Sequence, residues 1–421
     1  MNAPQTSSVT EAPRVVLAHP SGNQFFRHLA HALHRAGALA EAATCIDWKP
    51  DGAFARWLPR GLAAELGRRN FSAALGFPVT SHPAREWLRL AAGRLRLASL
   101  VRHETGVLSV DAVYRDFDRW MAARMERRRN ATAVYAYEDA AEAMFGAATR
   151  LGWRRIYDLP IAYWETSHRL LAEEAERWPE WEFTLESTRN SAAKCARKTH
   201  ELALADCVVC PSAFVAESLP AEARVTKRVI VAPFGSPPAG PPPAGRAAGA
   251  RLRVLFAGSW SQRKGLADLF AAMRRLRRRD VELVVLGSPV AEFEFYRRVG
   301  GEFTFERARP HGEVLEFMRT CDVFCLPSIV EGRALVVQEA MSQGLPAIVT
   351  RHTGADDVVS DGVSGFVVPV RDSQALAEKI GWFADHRDAV PEMGRAAQTA
   401  AARLGWADYG AKILAGLGSN P

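Results

Sequence analysis

The sequence predicts an α/β protein built of two doubly wound domains that face each other across a cleft. Three observations predict it. Its 421 residues exceed what a single compact core usually accommodates. Short apolar runs alternate with helical patterns along most of the chain, the rhythm of parallel sheets covered by helices. That alternation is interrupted once, by SPPAGPPPAGRAAGA after Gly235, and then restarts.

In chain order, residues 1–12 carry neither an apolar run nor a basic residue and read as a disordered tail, not a signal peptide. Arg14–His19 is an apolar strand stopped by Pro20. Ser21-Gly22-Asn23 turns the chain, and Phe26, Leu29, Ala30 and Leu33 recur at helical spacing until Gly37 ends the helix. The strand–turn–helix unit recurs at ATAVYAY with a helix from Asp139, at WRRIYDLP, at DCVVCPS and at RVIVAPF, giving a first Rossmann-like domain over 13–235. The Pro/Gly/Ala segment 236–250 is a semi-stiff linker. A second domain over 251–385 repeats the pattern: RVLFAG, GLADLFAAMRRL, VELVVLG, EVLEFMRTC, VFCLPS, a helix at 334–343, and PAIVT. Residues 386–421 read as C-terminal helices.

Composition narrows the function classes. No apolar stretch reaches the roughly 18 residues of a membrane span, so the cytoplasm is the default compartment. Cys207 and Cys210 form a CxxC inside a strand, where residues three apart face opposite ways and grip a single metal poorly. They and the Cys321/Cys325 pair read as buried hydrophobes. The formal charge is +7, and between Phe54 and His103 nine arginines stand against Glu65 and Glu86. The stretch 85–103, with Trp87, Leu88, Leu95 and Leu100 among arginines, suits either a solvated domain helix or peripheral contact with an anionic membrane surface. No nucleic-acid module accompanies the patch, and nucleic acid is not an expected partner. Asp116-Phe-Asp118 sits in a helical stretch and reads as surface charge, so no metal site is expected.

The segment 312–379 carries the chemistry. Pro327-Ser328 ends a strand, Glu331-Gly332 follows, and Glu339-Ala340-Met341 comes eight residues after Glu331; Gly344-Leu-Pro346 and Asp361-Gly362…Gly365 continue the frame. Eight residues are about two helical turns, which brings both carboxylates to one side. In this frame the chain resembles the GT4-type retaining glycosyltransferases, the glycosyl transferases group 1. The resemblance covers the second domain and, more loosely, the first. It implies a GT-B fold with the C-terminal helix crossing back to the N-terminal domain. It also implies a nucleoside-diphosphate-sugar donor, UDP- or GDP-linked, used as a substrate, with no cofactor. Under it Glu331 faces the transferred sugar, Glu339 holds the ribose, and Gly332, Arg333, Ala334 and Leu335 offer backbone N–H groups at a helix N-terminus. The stretch Gly258–Gly265 follows a strand and opens a helix; there Lys264, one of only seven lysines, matches the family lysine that meets the diphosphate, and Arg263 either replaces the arginine missing at Ser259 or is solvated. Gly22 approaches the diphosphate from the other domain.

The chain departs from the family pattern at Ser259, where an Arg is common, and at Arg333-Ala334, where Phe-Gly is common. Arg333 either meets the donor sugar or points to solvent. In the first domain, Glu138 or Asp139 contacts the acceptor, or Asp139 caps the next helix. Trp164, Trp178 and Trp181 stack on an acceptor sugar or pack in a core. The expected activity is transfer to a hydroxyl on a glycan or lipid-linked acceptor. A sugar-phosphate synthase or phosphorylase on the same fold, and a non-catalytic nucleotide-sugar-binding protein, remain as alternatives.

Overall fold

The computed structural model describes residues 13–49, 66–67, 69–128, 130–242 and 249–418, with backbone alone at 186 and 187. Seven parallel strands form the first sheet: β1 (Val15–Ala18), β2 (Leu39–Thr44), β3 (Thr80–Ser81), β4 (Ala133–Tyr137), β5 (Arg154–Asp158), β6 (Cys207–Cys210) and β7 (Arg228–Val231). Their order is β3-β2-β1-β4-β5-β6-β7. The second sheet has six: β8 (Leu252–Trp260), β9 (Val281–Pro289), β10 (Thr304–Arg307), β11 (Val323–Leu326), β12 (Ala347–Thr350) and β13 (Gly365–Val368). They run β10-β9-β8-β11-β12-β13. Each sheet reverses its winding, between β1 and β4 in one and between β8 and β11 in the other, and ligand crevices form at such switch points. The two doubly wound, Rossmann-like domains expected from the alternation are both present.

β1, β4, β8 and β11 are buried over most or all of their length, which explains why they read as continuous apolar runs. β3, β10 and β13 escape that reading: β3 has only two residues, and TFER of β10 is a half-buried edge. Cys207 packs with the core on one face of the first sheet and Cys210 with the core on the other, and both are free thiols.

The last helix, Trp406–Gly418, leaves the second domain and buries Tyr409, Ile413 and Leu417 against β7 and the helix Gln24–Arg35. Gly410 there lies so close to Ala32 that an added Cβ would come within 2.4 Å of the alanine methyl. A second crossing was invisible in the sequence. Trp181 follows the helix Trp164–Arg177, yet it is 1% exposed and packs among Phe270, Phe295 and Tyr296 of the second domain's core. Beside it the fully buried Glu174 takes Arg177, Arg371 and Gln262 as partners.

Three local expectations are corrected. The helix expected from Asp139 begins at Glu142, because Asp139 takes φ +70° in a turn. Its first amides are held by distant carboxylates, Glu201 accepting from Asp139 and Ala141, and Asp118 from Ala143 and Met144. Asp118 is therefore a buried cap and not surface charge, and burial pushes its carboxyl up to about 6 despite those amides. β8 extends through Trp260, two residues past the RVLFAG run, so Ser259 and Trp260 also belong to the strand.

Candidate functional site

A cleft of about 930 Å³ lies at the carboxyl ends of the two sheets. That is the size of a site for a ligand of nucleotide-sugar dimensions. The second domain lines it with Gly258, Ser259, Arg263, Lys264, Arg309 and the stretch Glu331 to Val336.

Glu331 is the centre of this wall. It leaves β11 by the turn 327–330 and is 9% exposed. Lys264 Nζ donates to its Oε1 at 2.6 Å, and Arg263 Nη1 lies 2.8 Å from the same oxygen. Arg263 also donates to the Val330 carbonyl at 2.9 Å, fixing the guanidinium beside the carboxylate. Burial alone would raise the Glu331 carboxyl, but the two cations override it and hold it below its ordinary value. The short turn Gln262–Lys264 that carries them is tied to the segment after β11, the Arg263 carbonyl accepting from the Ile329 N–H at 2.9 Å and the Val330 N–H at 3.3 Å. Gly258 takes φ +148°, and a Cβ there would come within 2.9 Å of the Lys264 side chain, so glycine makes the room that the lysine occupies. The sequence brought Glu331, Lys264 and Arg263 to one site, and the structure joins them.

Other candidates are placed differently. Glu339, on the helix Leu335–Ser342, does not line the cleft; Val336, one turn earlier, does. Its Oε1 lies 2.9 Å from His311 Nε2, and this hydrogen bond raises the imidazole above its ordinary value. No spacing rule links residues 28 apart, and His311 was missed. The Ala334 N–H, expected to meet the sugar, instead donates to the Thr353 carbonyl at 2.9 Å. The Arg333 side chain is fully buried, which removes the solvent alternative: its guanidinium reaches Gln338, the Gly354 carbonyl at 2.9 Å and Asp357 at 2.9 Å. It braces the turn after β12 and, through Gln338, the Phe234 carbonyl of the first domain. Leu335 lines the cleft. Gly22, at φ +56°, stands behind Asn23 with its open side filled by the Phe71 ring, and Asn23 is the lining residue.

The first domain lines the cleft with Asn23, Phe25, Tyr114, Tyr137, Glu138 and Asp139, and Phe234 joins them. Glu138 and Asp139 are paired from behind by Lys198, at 3.0 and 3.3 Å. None of Trp164, Trp178 and Trp181 reaches the cleft. Gly332 touches the opposite domain, its carbonyl accepting from Ser212 Oγ at 2.6 Å. Among the described residues no group of three or more His, Cys, Asp or Glu is arranged to hold a metal. None of their helices is long and apolar enough to cross a membrane.

Residues 244–400 match the model of the family "Glycosyl transferases group 1". The putative colanic acid biosynthesis glycosyltransferase WcaL of Salmonella typhimurium is 31% identical over 157 residues, covering 34% of this chain and 38% of that protein. The amylovoran biosynthesis glycosyltransferase AmsK of Erwinia amylovora is 28% identical over 139 residues, covering 30% of this chain and 34% of its own length. The chain thus spans less than two fifths of either relative. Among solved structures, Anabaena HepE in complex with UDP and glucose superposes with TM-score 0.59 at 16% identity, covering 97% of this chain and all of that one. Sucrose-phosphate synthase of Thermosynechococcus elongatus gives 0.64 at 15% identity, covering 95% and 96%. At these identities the likeness concerns the fold, which is GT-B.

Proposed function

We propose, from the match of residues 244–400 to the model of the glycosyl transferases group 1, that the protein is a retaining, metal-independent glycosyltransferase that moves a sugar from a nucleoside diphosphate, UDP or GDP, to a hydroxyl of a cell-surface glycan or lipid-linked intermediate. The observation that carries this reading is the buried Glu331 carboxylate held at 2.6 and 2.8 Å by Lys264 and Arg263 on the cleft wall. Two cations beside one acid form a site that accepts a diphosphate at the cations and a sugar hydroxyl at the acid.

In the proposed reaction the bond from the sugar C1 to the phosphate oxygen breaks and a bond from C1 to the acceptor oxygen forms. The acceptor proton passes to the departing phosphate. Lys264 and Arg263 stabilise the negative charge that develops on the diphosphate, the kind of preorganised electrostatics that dominates many enzymatic rate enhancements. Glu331 orients the sugar and offsets positive charge at C1 without forming a covalent bond. Glu339, one helical turn past the lining Val336, is the residue proposed for the ribose, and Glu138 and Asp139 face the acceptor. Thermal shift against UDP-, GDP- and ADP-sugars tests the reading: one UDP- or GDP-sugar is expected to raise the midpoint by several degrees, and a flat response to all would sink it.

The protein is further proposed to work at the cytoplasmic face of a membrane. Five large apolar side chains are exposed within one short stretch: Leu88 59%, Leu95 70%, Leu97 43%, Val107 64% and Val110 48%. Val110 also lines the cleft, so the patch reaches the site. Arg94 and Arg96 lie exposed within the patch, whereas Arg69 and Arg89 are committed to Glu86. Arg56, Arg60 and Arg68 of the basic window lie outside the described residues. Fully burying a leucine is worth about 1.5–3 kcal/mol, so replacing Leu88, Leu95 and Leu97 by serine is expected to lower co-sedimentation with phosphatidylglycerol-containing vesicles at least tenfold. Unchanged sedimentation removes the membrane proposal.

A further inference from the structure

Resting on the transferase reading above, we infer that the first-domain wall of the cleft is a subsite for a neutral saccharide ring, so that the acceptor presents an uncharged sugar, not a sugar phosphate, to the donor.

Two features of the wall lead there. The first is a run of aromatic rings along it. Phe25 stacks on Phe234 with centroids 4.7 Å apart and planes 6° from parallel, and lies 6.4 Å and 21° from Tyr137. Tyr114 meets Tyr137 edge-on at 6.2 Å. All four line the cleft. Aromatic faces pack well against the C–H faces of a pyranose and contribute nothing specific to a phosphate. His19, behind Tyr137 at 4.1 Å, is held neutral by burial, its imidazole falling to about 3, so the backing of this wall adds no positive charge.

The second feature is the placement of charge. Glu138 and Asp139 are the ionisable acids that the first domain presents to the cleft, and their counter-ions sit on the helix Ala192–Leu204 behind them. Lys198 pairs with both, Lys194 lies 2.9 Å from Asp111, and Arg197 lies 3.1 Å from Asp139. None of these three cations lines the cleft. The wall therefore shows carboxylate oxygens, which accept from hydroxyls, and keeps its positive charge out of reach. Glu138 Oε1 is buried against Lys198 Nζ, 3.0 Å away, so this oxygen is already partnered by the cation behind it. A phosphate in the same place would meet these carboxylate oxygens first, with the cations that pair with them behind and farther away. Among the described residues, the cations that line the cleft, Arg263, Lys264 and Arg309, with Arg333 bound to Asp357 behind them, all belong to the opposite wall.

Saturation-transfer NMR on the full chain, with UDP present, tests this using methyl α-glucoside, methyl α-mannoside, methyl β-galactoside and cellobiose against glucose 6-phosphate. At least one neutral sugar is expected to give saturation several-fold above glucose 6-phosphate. Tyr114→Ala is expected to cut that signal at least fivefold and Tyr114→Phe to preserve it. Val110→Lys, which adds a cation at the exposed rim, is expected to raise the glucose 6-phosphate signal. Preference of the native protein for glucose 6-phosphate, silence of every neutral sugar, or an unchanged signal in a folded Tyr114→Ala overturns the inference. Nucleotide-sugar thermal shifts on the same samples separate the two readings: with donor binding intact, these failures strike the acceptor subsite alone, whereas loss of donor binding strikes the transferase itself.

Discussion

Glu331→Gln is expected to lower transfer or hydrolysis of the accepted donor by roughly 10²–10³-fold in kcat, the range for removing one preorganised electrostatic contact. The side chain keeps its size and its place at the end of β11, so the donor should still bind. What is lost is the negative charge that holds Lys264 and Arg263 at 2.6 and 2.8 Å. Lys264→Ala is expected to cost a similar factor from the leaving-group side. Because Lys264 and Glu331 touch, the double variant should lose less than the product of the two single losses. Initial-rate kinetics with saturating donor check this. A Glu331→Gln enzyme within threefold of native kcat would remove Glu331 from the reaction, and additive losses would separate it from Lys264.

Gly332→Ala is expected to be the most damaging one-carbon change in the cleft. A Cβ on Gly332 would stand 1.6 Å from the Pro160 carbonyl oxygen and 3.1 Å from the Ile161 Cα. Both belong to backbone of the first domain, so no rotamer change can make room. The residue next to Glu331 must retreat, or the two domains must separate there by more than an ångström. The Ser212 hydrogen bond to the Gly332 carbonyl would stretch with them. Misplacement by about 1 Å can cost on the order of 10²-fold in rate, and a loss of at least that size is expected, with far-UV circular dichroism near native because both sheets lie away from the contact. Gly312→Ala is the control: nothing lies within 4 Å of its Cβ position, and its activity should match the native chain. Equal activity in Gly332→Ala would show that the domains do not work in this closed contact.

Much of the fold was legible because parallel strands buried on both faces leave an unambiguous apolar signature, as VVLA of β1 and VFCL of β11 do. The grouping of Glu331, Lys264 and Arg263 was legible because each residue sits just beyond a strand end, where chain order and sheet order together dictate position. Glu339 was legible as a helix residue on the donor side, but its partner was not: His311 lies on a neighbouring helix, and nothing local joins the two. Asp118 shows the same limit from the other direction. Its neighbours in sequence suggest a metal motif or surface charge, and only the packing of the helix Val110–Met125 against Glu142–Leu151 turns it into a cap. Arg333 looked free to face sugar or solvent, and the turn after β12 claims it instead.

The sequence by itself determined the two alternating α/β halves, the strand ends on which the acid and the two cations stand, and the opposed facing of Cys207 and Cys210. These follow from periodicities of two and 3.6 residues and from the order in which strands reach a switch point. The tertiary structure decided that Trp181 is buried in the opposite domain's core, that Glu174 joins Arg371 across 197 residues, and that Phe25, Tyr114, Tyr137 and Phe234 form one wall. Such contacts depend on how two independently wound sheets are oriented about their crossings. That orientation is settled by side-chain packing and by the burial of charge between the domains, which no local periodicity records.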